Sequence, residues 1–150
     1  MISFRLMRGA RALAILPFVL LTACLSETGP TLSAPEAYEQ SQSGRVTLID
    51  IRTPPEWRQT GVAEGAHRVN LHNPRGMEGF VARILAEVDG NKDAPIALIC
   101  RTGNRTTQAQ KVLMDQGFTK VYNVKEGMAG SGAGPGWLKR GLPVESCKQC

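Results

Sequence analysis

The stretch Ile96-Ala97-Leu98-Ile99-Cys100-Arg101-Thr102-Gly103-Asn104-Arg105-Thr106 decides the fold. Its first five residues are apolar without interruption. A run of that length, closed by a polar loop containing glycine, predicts a strand buried on both faces. Beyond the loop, Ala109, Val112 and Leu113 recur at helical spacing over Thr106–Gln116, and Gly117 supplies a stop. A fully buried strand that passes through a short loop into a helix is the unit of a parallel α/β sheet.

The neighbouring segments repeat the alternation. Val46–Ile51 is a second short, β-branched apolar run and predicts another buried strand. Ser33-Ala34-Pro35-Glu36 opens a helix, with Ser33 as cap, Pro35 in the first turn and Glu36 closing a capping box; Gly44 marks its end. Pro54-Pro55-Glu56-Trp57 starts a short helix that stops near Gly61. Arg68–Leu71 reads as a short strand. Glu78–Val88 places Phe80, Val81, Ile84, Leu85 and Val88 on one helical face, and Lys120–Val124 reads as a further strand. The expected fold is α/β, a mainly parallel central sheet flanked by helices, in one domain over residues 32–145.

The loop between strand and helix carries the chemistry. In open parallel sheets, ligands gather at the carboxyl ends of the strands. A loop that curls into a helix start there aims several backbone N–H groups at one point, and the helix dipole adds partial positive charge. Cys100 stands at the base of that cradle, between the strand and the guanidinium groups of Arg101 and Arg105. Such surroundings favour the thiolate, the reactive form of cysteine. Gly103 permits a tight turn at positive φ. Thr106 has an N-cap side chain whose hydroxyl can also reach the sulfur. A cysteine at the end of an apolar strand is often inert core. A core strand end, however, does not call for two arginines and a glycine turn.

With these residues in place, the chain resembles the single-domain rhodaneses, the thiosulfate sulfurtransferases. Cys100–Thr106 is similar to their active-site loop. Asp50-Ile51-Arg52 followed by Glu56-Trp57 resembles the family's Asp-x-Arg…Glu-Trp segment. Gly61–Leu71, with Gly65-Ala66, resembles its Gly-His-Ile-Pro-Gly-Ala-x-x-Ile stretch. Val124-Lys125-Glu126-Gly127 and Trp137…Gly141-Leu142-Pro143 resemble its closing pattern. The likeness spans about Leu32–Glu145. It departs in having Val62 and Glu64 where the family has histidine and proline, and Glu126-Gly127 where Gly-Gly is usual. It also has a longer Met128–Gly136 stretch, whose glycine-rich composition reads as a flexible loop that rims the site.

The resemblance implies a ping-pong sulfurtransferase with Cys100 as nucleophile. Cys100 would take the outer sulfur of thiosulfate or a persulfide donor, then pass it to a thiol or cyanide. Arg101, Thr102, Gly103, Asn104, Arg105 and Thr106 would bind the substrate anion. Arg101 would attract the donor, and Arg105 would brace the loop or the anion. Asp50, Arg52 and Glu56 read as structural support, an ion-pair bracket near the site. No cofactor is expected. No metal is expected either, because His67 and His72 lack ligand spacing.

Two other readings compete. A phosphatase or arsenate reductase needs five residues between cysteine and arginine to cradle a tetrahedral oxyanion; here four separate Cys100 from Arg105. A non-catalytic, lipid-tethered module could use the cradle to hold an anion or a partner, although the intact Cys100 weighs against it.

The amino terminus reads as an address. Arg5, Arg8 and Arg11 precede an apolar run over residues 12–21, too short to span a membrane and broken by Pro17. Leu21-Thr22-Ala23-Cys24 resembles the bacterial lipobox, which implies a signal peptide over 1–23, a lipid anchor on Cys24 and a polar tether over 24–31. Ordinary cleavage after Ala23 is the rival, with the bulky Leu21 at its −3 position. Either route exports the protein, and the lipid route implies a periplasmic, membrane-anchored one. The formal charge of the chain is +5, but residues 24–150 hold 15 basic and 13 acidic side chains, a net of +2. That balance offers no footprint for nucleic acid. Cys147-Lys148-Gln149-Cys150 ends the chain, in a tail over 146–150. One C-x-x-C is half a zinc site. The pair reads instead as a surface disulfide, or as a dithiol that accepts sulfur from Cys100.

Overall fold

The structure, a computed structural model, describes residues 29–150. The signal segment 1–23 and Cys24 lie outside the described residues. In chain order the elements are β1 (Thr31–Leu32), α1 (Ala34–Gln42), β2 (Thr47–Asp50), α2 (Pro54–Thr60), β3 (Val62–Ala63), β4 (His67–Arg68), α3 (Gly76–Glu87), β5 (Ile96–Ile99), α4 (Asn104–Asp115), β6 (Val121–Val124), α5 (Gly136–Lys139) and β7 (Val144–Glu145).

Five strands form one sheet in the order β1-β6-β5-β2-β4, every pair parallel. The central strands are apolar throughout because both faces are covered. Ile49, Ile96 and Leu98 face Phe80 and Ile84 of α3 and Ala109 and Leu113 of α4. The alternate residues Leu48, Ala97, Ile99 and Val124 face Ala34 and Ala37 of α1 and Trp137 of α5. Each such Leu, Ile or Phe contributes about 1.5–3 kcal/mol by leaving water. This is the α/β architecture expected, a parallel sheet with helices on both sides.

Local signals act as read at the start of α1 and at the ends of α2 and α4. The Ser33–Glu36 capping box starts α1, a Thr53–Glu56 box starts α2, and Gly61 and Gly117 follow α2 and α4 at positive φ. Two boundaries shift. The strand read over Arg68–Leu71 is β4 at His67–Arg68, although Val69 and Leu71 still donate to the carbonyls of Asp50 and Ile51. The tether read over 24–31 gives way to sheet at Thr31, which pairs with Asn123. The pairing of β3 with β7, antiparallel, draws the chain's end onto the residues after α2.

The Met128–Gly136 stretch is hydrogen-bonded rather than open. Met128 and Ala129 donate to the carbonyls of Cys100 and Arg101, both at 2.9 Å, and Ser131 and Gly134 pair across a tight turn. Glycine at 127 makes this closeness feasible. Its φ is +66°, and a Cβ there would lie 2.5 Å from the Arg101 carbonyl oxygen.

Candidate active site

Cys100 follows the last residue of β5, at the carboxyl edge of the sheet, and is buried. After three intervening residues α4 begins at Asn104, with Gly103 as its N-cap at φ +86°. The helix therefore starts two residues before the boundary read from sequence, and Thr106 is not its cap. Thr106 lies inside the first turn and donates back to the Gly103 carbonyl at 2.9 Å. Only glycine fits position 103, because a Cβ there would sit 2.0 Å from the Lys125 carbonyl oxygen. Backbone contact with the loop after β6 thus forces the turn and advances the helix start.

The consequence falls on the sulfur. The Gly103 N–H donates to Cys100 Sγ at 3.2 Å, and the Thr106 hydroxyl lies 3.6 Å from it. The N–H groups of a helix's first turn have no partner within the helix, so this end of α4 is a site for negative charge.

Among the described residues beside the loop, Arg52 and Arg105 are each tied to an acid, whereas Arg101 is not buried. Arg52 and Asp50 are both buried and paired at 2.7 Å. Arg52 also donates to the Gly61 carbonyl at 2.7 Å and the Thr60 hydroxyl at 2.8 Å, which pins the end of α2 to β2. Arg105 grips Glu56 with two bonds, 2.8 and 2.6 Å, and so links α4 to α2. Those bonds hold the Glu56 carboxyl down at about 2 and raise Arg105 above its ordinary value. Arg101 is exposed. It lines a cavity of about 120 Å³ with Arg52, Glu56, Gln59, Met128 and Leu138 among its other walls. Thr102, Gly103 and Asn104 line a second cavity of about 320 Å³, closed by Lys125 and by Ser131, Gly132 and Ala133 of the glycine-rich turn.

The Glu56–Arg105 pair carries a pH prediction. A carboxyl held at about 2, against an ordinary 4.5, stabilises the fold fully above about pH 4.5 and loses that contribution as pH falls through about 2. Thermal melting of Glu56→Gln should show a lower Tm at neutral pH and a shallower acid limb than the native chain; parallel acid limbs would contradict the pairing.

One residue of the site is absent from the sequence reading of roles. Glu126 is buried, and its carboxylate accepts from Ala34 N–H at 2.7 Å, Gly136 N–H at 2.8 Å and Arg140 Nε at 2.8 Å. Burial pushes its carboxyl up, but these donors outweigh it and hold the group below the usual carboxylate range. Glu126 thereby fixes α1, the glycine-rich turn and α5 beside the cradle. The only hint in the sequence is that a glutamate stands where Gly-Gly is usual. Cys147 and Cys150 lie elsewhere, bonded to each other, and line neither cavity beside the loop.

The fold and site define a class: a parallel α/β domain with a buried thiol at a strand's carboxyl end, seated at the N-terminus of the next helix. Residues 33–132 match the rhodanese-like domain family, and the chain belongs to it. It is 31% identical over 122 residues to the thiosulfate sulfurtransferase GlpE of Actinobacillus pleuropneumoniae serotype 3, which covers 81% of this chain and 98% of that protein. The polysulfide-sulfur transferase homodimer of Wolinella succinogenes is similar in structure, with a TM-score of 0.59 and 26% identity over 80% of each chain. The rhodanese-like domain of an Anabaena protein shares the fold, with a TM-score of 0.61 at 24% identity, covering 81% of this chain and 82% of that one.

Proposed function

We propose that the protein is a thiosulfate sulfurtransferase that carries sulfane sulfur as a persulfide on Cys100. The observation that carries this reading is the Gly103 N–H aimed at Cys100 Sγ from the start of α4. In the first half-reaction the Cys100 thiolate attacks the outer sulfur of thiosulfate, the S–S bond of the donor breaks, and sulfite leaves with the bonding pair. In the second, a thiol or cyanide takes the outer sulfur of the persulfide and the Cys100 thiolate returns. N–H groups already in place stabilise the anionic sulfur without reorganising, and such preorganised donors are a large part of enzymatic rate enhancement. Thr102, Gly103, Asn104 and Thr106 shape that cradle, Arg105 braces it through Glu56, and Arg101 attracts the donor.

The direct test is a mass increase of one sulfur atom on the Cys100 peptide after thiosulfate, removed again by cyanide with thiocyanate formed. A chain that binds thiosulfate yet never gains that mass would be a binding module and not an enzyme. Arg101→Ala should raise KM for thiosulfate about tenfold with kcat nearly unchanged, the loss of one exposed attraction. The effect should shrink as salt rises, because exposed charges are screened.

The amino-terminal segment supports a second part of the reading: export and lipid anchoring through Cys24. One acyl chain holds a protein only reversibly, whereas two or more anchor it stably. Metabolic labelling with a fatty acid should mark the native protein and not Cys24→Ala. Unlabelled protein recovered in a soluble periplasmic fraction would leave simple cleavage instead.

A further inference from the structure

Cys147 and Cys150 are bonded to each other, with their Cα atoms 5.4 Å apart. The bond closes the tail on itself and ties it to no element of the domain. It therefore does little for the domain's stability, since a crosslink acts mainly by constraining the chain it encloses. The pair is nevertheless held in a defined place. The Arg68 guanidinium, at the end of β4, lies against both sulfur atoms. Arg58 of α2 donates to the Cys150 carbonyl. Glu145, just before the tail, turns its carboxylate to the Gly65 N–H at 2.8 Å.

A disulfide is neutral and a weak acceptor, so a guanidinium gains little from it. Beside a thiolate the same guanidinium gains a charge-assisted hydrogen bond. A cation so placed favours the thiolate and thus the reduced state, which makes the disulfide more oxidising. Access is open: a cleft of about 560 Å³ runs along Arg68, Ser146, Cys147, Lys148 and Gln149, and Lys148 adds a second positive charge.

We propose that Cys147 and Cys150 form a redox-active pair that exchanges electrons with an external dithiol, and that Arg68 stabilises its reduced form. One thiolate of the dithiol attacks one sulfur of the pair. The Cys147–Cys150 bond breaks, and the other sulfur leaves as a thiolate held by Arg68. The second thiol of the reductant then attacks its own sulfur in the mixed disulfide and expels the remaining cysteine. The pair gains two electrons. The dithiol loses two and closes into its own disulfide. Its two thiol protons end on the two cysteines, one of them passing to solvent where Arg68 holds a thiolate. None of these steps uses Cys100, so the site stands or falls separately from sulfur transfer.

The test uses the full chain with Arg68 native, Arg68→Met and Arg68→Lys. Each is equilibrated in mixtures of reduced and oxidised dithiothreitol, quenched with acid and alkylated, and the C-terminal peptide is quantified by mass. Arg68→Met should shift the equilibrium about tenfold toward the disulfide. It should also raise the pH at which the reduced pair reacts with iodoacetamide, with Arg68→Lys in between. Arg68 is exposed and its backbone pairing does not depend on its side chain, so the fold should persist; circular dichroism checks that it does. Equal equilibria and equal reactivity profiles in Arg68→Met and the native chain would overturn the proposal. So would a disulfide that dithiothreitol reduces only after the domain has unfolded.

Discussion

Cys100→Ser is expected to lower thiosulfate-dependent thiocyanate formation to below about a thousandth of the native rate, the scale of loss seen when a catalytic nucleophile is removed. A serine hydroxyl stays protonated near neutral pH and forms no persulfide, so neither half-reaction has a carrier. The fold should survive the change. Cys100 is buried, and its sulfur receives the Gly103 N–H and neighbours the Thr106 hydroxyl. Serine offers an oxygen to the same donors, so stability should move by no more than about 1 kcal/mol. Steady-state assay and thermal melting on the same preparation check both halves. Turnover that persists in a folded Cys100→Ser chain would place the chemistry on another residue.

Arg52→Met is the substitution expected to cost most in stability. Asp50 is fully buried, and three of its bonds come from the Arg52 Nε and Nη2 groups, at 2.7 to 3.0 Å. Removing the guanidinium strands a carboxylate in the core of the sheet and releases the Gly61 and Thr60 contacts that hold the end of α2. Breaking one partner of a buried pair typically costs ~3–5 kcal/mol. That is a large share of a small domain's stability, which commonly lies at ~5–15 kcal/mol. Urea unfolding should show the unfolding free energy falling by that amount, with a lower midpoint, while Asp50→Asn/Arg52→Met together should recover part of it. A double variant no more stable than Arg52→Met would mean that the stranded charge is not the source of the loss. Activity should fall with Arg52→Met as well, because α2 carries Glu56, the partner of Arg105.

Both expectations draw on residues that local pattern picked out. The apolar runs at 46–51 and 96–100 could only be strands covered on both faces, and the structure covers both with helices. The glycine, the two arginines and the cysteine of the loop mark the start of α4 as the place to look for a site. The bracket of Asp50, Arg52 and Glu56 was legible as support, although its wiring was not. Asp50 and Arg52, two positions apart, pair with each other, whereas Glu56 reaches forty-nine positions along the chain to Arg105.

What the sequence by itself determined is therefore the alternation of buried strands and amphipathic helices, and the residue types gathered in the loop after β5. Both are written in contiguous residues whose spacing and side chains suffice. Only the tertiary structure decided the two-residue strands β1, β3 and β7, which are too short to show a period. The start of α4 at Asn104 follows from the Lys125 backbone crossing Gly103. The role of Glu126 depends on donors at Ala34, Gly136 and Arg140, and the placement of the terminal cysteines on Arg68. In each case the deciding contact joins residues that the fold brings together, and no local pattern encodes where a distant donor will arrive.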